Sequence, residues 1–117
     1  MYFQNDYSVW IYLLILFLHW VFDFCFQSNE QAQNKSESLD ALTSHVLIYT
    51  FFLSIVFGPI YGAVNGILHF VTDYNTSKWT KKLSDKKDWH NFFVVVGFDQ
   101  LLHFIALFLT IPLIWWI

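Results

Sequence analysis

Four long apolar runs, broken by very few ionisable residues, set what this chain of 117 residues can fold into. Ser8 to Phe26 is apolar apart from His19 and Asp23. Further runs cover residues 41–57, 60–75 and about 90–116. A bilayer core of roughly 30 Å takes about 20 helical residues, while a barrel strand needs only about 9–11. Backbone groups in lipid must pair within their own segment, which favours helices over open strands. Hydrophobic residues make up 56% of the chain and charged residues 13%. Soluble domains lie nearer about 45–50% and 25%. Fourteen Phe and six Trp exceed what so small a soluble core could hide. The expectation is an all-α fold: one integral membrane domain over residues 1–117, a four-helix bundle with short loops and helices at about 8–26, 41–57, 60–75 and 90–116.

Gly58-Pro59 separates the second and third runs, because proline lacks a donor and clashes inside a helix. The two should form a tight antiparallel hairpin. Residues 27–40 read as a polar loop and 75–88 as a basic one. The latter holds Lys78, Lys81, Lys82, Lys86 and Lys87, and the former holds Lys35. Both loops fall on one side of a four-helix bundle, and the positive-inside rule makes that side cytoplasmic, with both termini outward. The expected location is a bacterial inner (host cytoplasmic) membrane. No basic residue precedes the first run, so it reads as a retained helix rather than a cleaved signal peptide. The six tryptophans lie mostly near run ends, as interfacial anchors do. The single cysteine, Cys25, excludes an intrachain disulfide and reads as a small buried hydrophobe. A net charge of -3 without any arginine gives no nucleic-acid footprint.

The ionisable residues inside the runs are patterned. The first has His19-x-x-x-Asp23, the third His69-x-x-x-Asp73, the fourth Asp99-x-x-x-His103, and the second has His45. A spacing of four puts both members of a pair on one helix face. With the helices alternating in direction, all seven fall in the cytoplasmic half. Carboxylates in hydrocarbon cost about 2.5–3.5 kcal/mol each at a helix centre, so three of them need compensation. A divalent cation supplies it, since imidazole and carboxylate are good donors to transition metals. His19, Asp23, His45, His69, Asp73, Asp99 and His103 are the candidate ligands for one or two ions, zinc first, with manganese or iron as alternatives. Asp23, Asp73 and Asp99 are the candidate catalytic groups. Gln27, Asn65 and Gln100 are candidates for orienting ligands or substrate. Tyr49 reads as an anchor at a helix interface and His90 as solvated. A single His–Asp pair would as readily be a buried hydrogen bond. Three pairs and a fourth histidine at one depth are harder to explain that way.

His19-Trp20-x-x-Asp23-Phe24-x-x-Gln27, Lys35, His45 with Tyr49, Asn65-x-x-x-His69-x-x-x-Asp73 and Gly97-Phe98-Asp99-Gln100-x-x-His103 together resemble a family of short bacterial and phage membrane proteins of unknown function. The resemblance covers nearly the whole chain. It implies the four-helix membrane fold and a shared polar core. A looser likeness is to small membrane-bound metal-dependent hydrolases. The functional expectation is a membrane-embedded metal-dependent hydrolase acting at the cytoplasmic side on an amphiphilic, lipid-like or lipid-linked substrate. Membrane lipid is its expected environment, and a homo-oligomer is compatible with the chain. A metal-ion or proton transport element and a structural accessory protein with a buried polar network are the alternatives.

Overall fold

The computed structural model describes residues 8–25 and 37–116. Among them are four helices and no strand. The first helix, α1, is Val9–Trp20 and continues as a π-helical turn, Val21–Cys25. α2 is Leu39–Phe57, α3 Pro59–Asp85 and α4 Trp89–Leu109, followed by a 3₁₀ turn at Ile111–Leu113. Gln27 and Lys35, and with them the first polar loop's interior, lie outside the described residues.

Local chemistry sets the boundaries. Ser38 caps α2 by accepting from Ala41 N at 3.2 Å. Gly58 ends α2 at φ 102°, a conformation that L side chains rarely adopt, and Pro59 opens α3 at a position where no N–H is missed. The hairpin expected at Gly58-Pro59 is therefore present. The C-terminal segment returns over it: Trp115 N donates to Phe57 O at 2.7 Å, and its indole Nε1 donates to Val56 O at 3.0 Å. A Cβ on Gly58 would lie 2.9 Å from the Trp115 backbone, so close approach as well as φ requires glycine there.

Two boundaries differ from expectation. The third helix does not stop near residue 75. It runs to Asp85, so most of the basic stretch is helical and only Lys86–Asp88 connects it to α4. Hydropathy falls at Asn75, but nothing there breaks a helix: Lys and Leu are good helix formers and no Gly or Pro intervenes. The fourth helix ends at Leu109 rather than near 116, because Pro112 cannot continue it.

α3 packs along both α2 and α4. Ile15, Tyr49, Leu53, Phe57, Tyr61, Leu107 and Ile111 close one end of the bundle as a buried cluster. α2 and α4 are long and apolar enough to cross a membrane; Val9–Cys25 is a shorter apolar helix. Four spanning helices are thus met, by length and composition, in two.

Candidate metal centre

The seven His and Asp residues nominated from sequence converge between the helices. His19, Asp23, His45, His69, Asp73 and His103 are all buried, and Asp99 is half-buried at their edge. The π turn helps to place Asp23. One wider turn after His19 swings Phe22 and Asp23 inward and leaves Phe24 and Cys25 exposed, so Cys25 is not the buried hydrophobe expected.

Asp23, His45, His69 and Asp73 each offer a donor atom, all within 4.8 Å of one another. The Nε2 atoms of His45 and His69 are 3.2 Å apart. Asp23 Oδ1 is 2.8 Å from His45 Nε2 and 3.3 Å from His69 Nε2. Asp73 Oδ2 is 3.5 Å and 3.2 Å from the same two atoms. Donors bound at about 2.0–2.1 Å to one tetrahedral ion lie about 3.3 Å from one another. Among the described residues the buried Asp23 Oδ1 has no hydrogen-bond partner despite its close neighbours. The spacing of the donors fits that of ligands on one shared ion. The N/O donor set fits zinc, manganese or iron.

A second donor group adjoins the first. His103 Nε2 is 3.2 Å from Asp73 Oδ1 and 3.3 Å from Asp99 Oδ2. Asp73 therefore faces the first group with Oδ2 and the second with Oδ1. A carboxylate divided in this way can join two ions, which in two-metal sites sit about 3.5–4 Å apart. The second group has three protein donors, the number that leaves a catalytic ion a position for water or substrate.

The surrounding contacts orient the rings. Tyr49 Oη pairs with His19 Nδ1 at 3.0 Å, and His19 Nε2 pairs with Gln100 Oε1 at 2.9 Å. Gln100 Nε2 in turn donates to Asp99 Oδ2 at 3.0 Å. Tyr49 thus does more than anchor an interface. His19 also lies 3.5 Å from Asp23 Oδ2, but both its nitrogens have protein partners, which favours an orienting role. Among the described residues His69 Nδ1 has no partner, and its ring is held by stacking on Tyr49 and His103, with centroids 4.2 Å and 4.1 Å away. Asn65 makes no bond to the cluster among the described residues. Its Nδ2 donates to Tyr61 O and Thr110 Oγ1, tying α3 to the end of α4.

A cleft of about 190 Å³ opens onto Asp23, Asp73 and Asp99. Its walls are residues of α3 and α4, together with Asp23 and Phe24. Asp73 to Asp85 is about 18 Å of further helix, and Trp89 to Asp99 about 15 Å. Thr76, Ser77 and Thr80 line its α3 wall. Sequence reasoning missed these three by reading residues 75–88 as a loop. Their spacing of three, four and seven from Asp73 is the signal that could have found them.

No curated protein and no solved structure matches this chain. A family model described as "Protein of unknown function (DUF3307)" matches residues 11–117, nearly the whole length, and the chain belongs to that family.

Proposed function

We propose that the chain is a membrane-embedded, metal-dependent hydrolase whose centre holds two divalent ions bridged by Asp73, and whose substrate is amphiphilic. The observation that carries this reading is the division of the Asp73 oxygens between two donor groups beside an open cleft. Asp23, His45 and His69 complete one group; Asp99 and His103 complete the other. Zinc suits the donors best. Ions held here would supply Lewis acidity, polarising a phosphoryl or acyl oxygen and lowering the pKa of water beside them toward about 7.

The chain's own residues divide the remaining work. Asp99 lines the cleft, and its carboxylate is within reach of a proton released there. Gln100 and Thr76 hold that carboxylate from both sides, donating to Oδ2 and Oδ1. Phe24, Phe92 and Val96 limit water on the cleft's apolar side.

The membrane setting is supported by α2 and α4 and by the outward faces of the helices, where Leu13, Phe17, Leu47, Ile67, Phe93 and Leu101 are exposed. Only 17% of the most apolar stretch of α4 is buried within the bundle, unlike the core helix of a soluble protein. The lysines at the end of α3 lie at the cleft end, which the positive-inside rule places in the cytoplasm, with the Gly58 hairpin outward. Transport is disfavoured by the apolar cluster around Leu53, Tyr61 and Ile111, which closes the end opposite the cleft.

The test is hydrolysis of phosphate esters and carboxylic esters presented in mixed micelles by the purified chain. Chelator-sensitive turnover, reduced at least about 100-fold in Asp99→Asn, is expected. Metal-loaded protein that cleaves neither ester class would refute the hydrolase.

A further inference from the structure

The α3 wall of the cleft carries a hydroxyl that no other described residue uses. Thr76 Oγ1 is committed to Asp99 Oδ1 and the Thr72 carbonyl, and Thr80 Oγ1 donates to Ser77 O at 3.0 Å. Ser77 is 8% exposed, lines the cleft, and its Oγ has no partner among the described residues. An unpaired buried hydroxyl is costly, so its retention points to a group that meets it from the cleft.

The charge around the cleft narrows the class of that group. Among the described residues no lysine lines it, while Asp23, Asp73 and Asp99 do. Two divalent ions against three carboxylates leave one net positive charge in a confined, partly apolar space. A neutral ester would leave that charge unmatched; a monoanion matches it. A phosphodiester is monoanionic and has two non-bridging oxygens. One can face the ions while the other accepts from a hydroxyl on the wall. An ester carbonyl has a single oxygen and would leave Ser77 unpaired.

We propose that Ser77 forms the subsite for a phosphodiester group of the substrate. The inference rests on the two-metal reading above and selects phosphoryl over acyl substrates within it. Ser77 acts here as a donor that positions the group.

The experiment titrates the zinc-loaded full chain in a maltoside detergent with dimethyl phosphate, with short-chain phosphatidylglycerol and with methyl acetate, using calorimetry and measuring metal content on every sample. Both phosphodiesters are expected to bind and methyl acetate is not. Ser77→Ala should weaken phosphodiester binding about 3- to 10-fold with metal content unchanged, and Ser77→Thr should restore it. Ser77→Cys, of similar size but a weaker donor, should weaken it less and serves should Ser77→Ala fail to fold. Tighter binding of the lipid than of dimethyl phosphate would identify a lipid headgroup as the source, and equal binding a free diester; either supports the subsite. Metal-replete Ser77→Ala binding dimethyl phosphate as wild type does, or methyl acetate binding as well as the diester, would overturn it. Protein that takes up no metal would instead refute the functional reading on which the subsite rests.

Discussion

Asp73 faces His45 and His69 with one oxygen and His103 with the other, and its side chain is almost wholly excluded from solvent. Two consequences follow for Asp73→Asn, which keeps the shape and removes the charge. Without metal, Asp73 still pairs with three imidazoles, so this variant should melt at a lower temperature than wild type. With zinc added at about 100 times its Kd, wild type should gain about 2.7 kcal/mol from binding, and Asp73→Asn little. A purely structural hydrogen-bond network predicts no gain from zinc in either protein. Thermal melts with and without zinc separate the two. Tyr49→Phe removes the hydroxyl paired with His19 Nδ1 in a fully buried setting and should cost about 1–3 kcal/mol in chemical denaturation. At this scale most of the candidate site was legible. Four-residue spacing on a helix places side chains together whatever the surroundings, so the three His–Asp pairs could be read directly. His45 was found by depth alone. Asn65 was misplaced, because a spacing of four before His69 fixes the face but not which neighbouring helix the amide meets. Ser77 and Thr80 were lost when polarity was read as loop.

Between elements, α2 and α3 approach closely. Gly62 and Gly66 face α2, and a Cβ on Gly62 would collide with Ser54 Oγ and lie 2.8 Å from Ser54 Cα. One on Gly66 would collide with Thr50 Oγ1 and lie 3.1 Å from its Cβ. Small residues four apart let two helices meet at backbone distance. Gly62→Ala and Gly66→Ala should each destabilise by about 1–3 kcal/mol. Gly97 in α4 has nothing within 4 Å of such a Cβ, so Gly97→Ala should stabilise by about 0.4–1 kcal/mol. Denaturant midpoints of the three variants test the pattern, and equal effects would contradict the packing. Asp88 caps α4, and its hydrogen bonds with Asn91 hold its carboxyl below the usual carboxylate range. That contribution is complete above the unfolded value of about 4 and is lost as pH falls through the lower folded value. Asp88→Ala should flatten the acid limb of a melting-temperature profile. The hairpin at Gly58-Pro59 was legible because proline and glycine act locally. The π turn and the full length of α3 were not. Hydropathy reports the medium a segment suits, and a helix can continue from one medium into another.

The whole molecule has two unlike ends. Leu53, Tyr61 and Ile111 close one, and the cleft opens at the other, toward which α3 carries its lysines. On the proposed topology the second end faces the cytoplasm. A cysteine introduced at Lys86, in a Cys25→Ser background, should react with an impermeant maleimide only after cells are opened. Labelling of intact cells would invert the orientation and place the cleft outside. Composition alone carried the all-helical fold, since runs this long and apolar exclude open sheet. It could not say how far each helix runs, and α3 carries Thr76, Ser77 and Thr80 of the cleft wall beyond the expected end of its helix.

The central claim is a two-metal centre bridged by Asp73, and elemental mass spectrometry of the purified, detergent-solubilised chain tests it most directly. About two equivalents of a divalent transition metal are expected in the wild type, about one in His103→Ala, and almost none in Asp73→Ala. A folded wild-type chain that remains metal-free after exposure to zinc, manganese and iron would contradict the account.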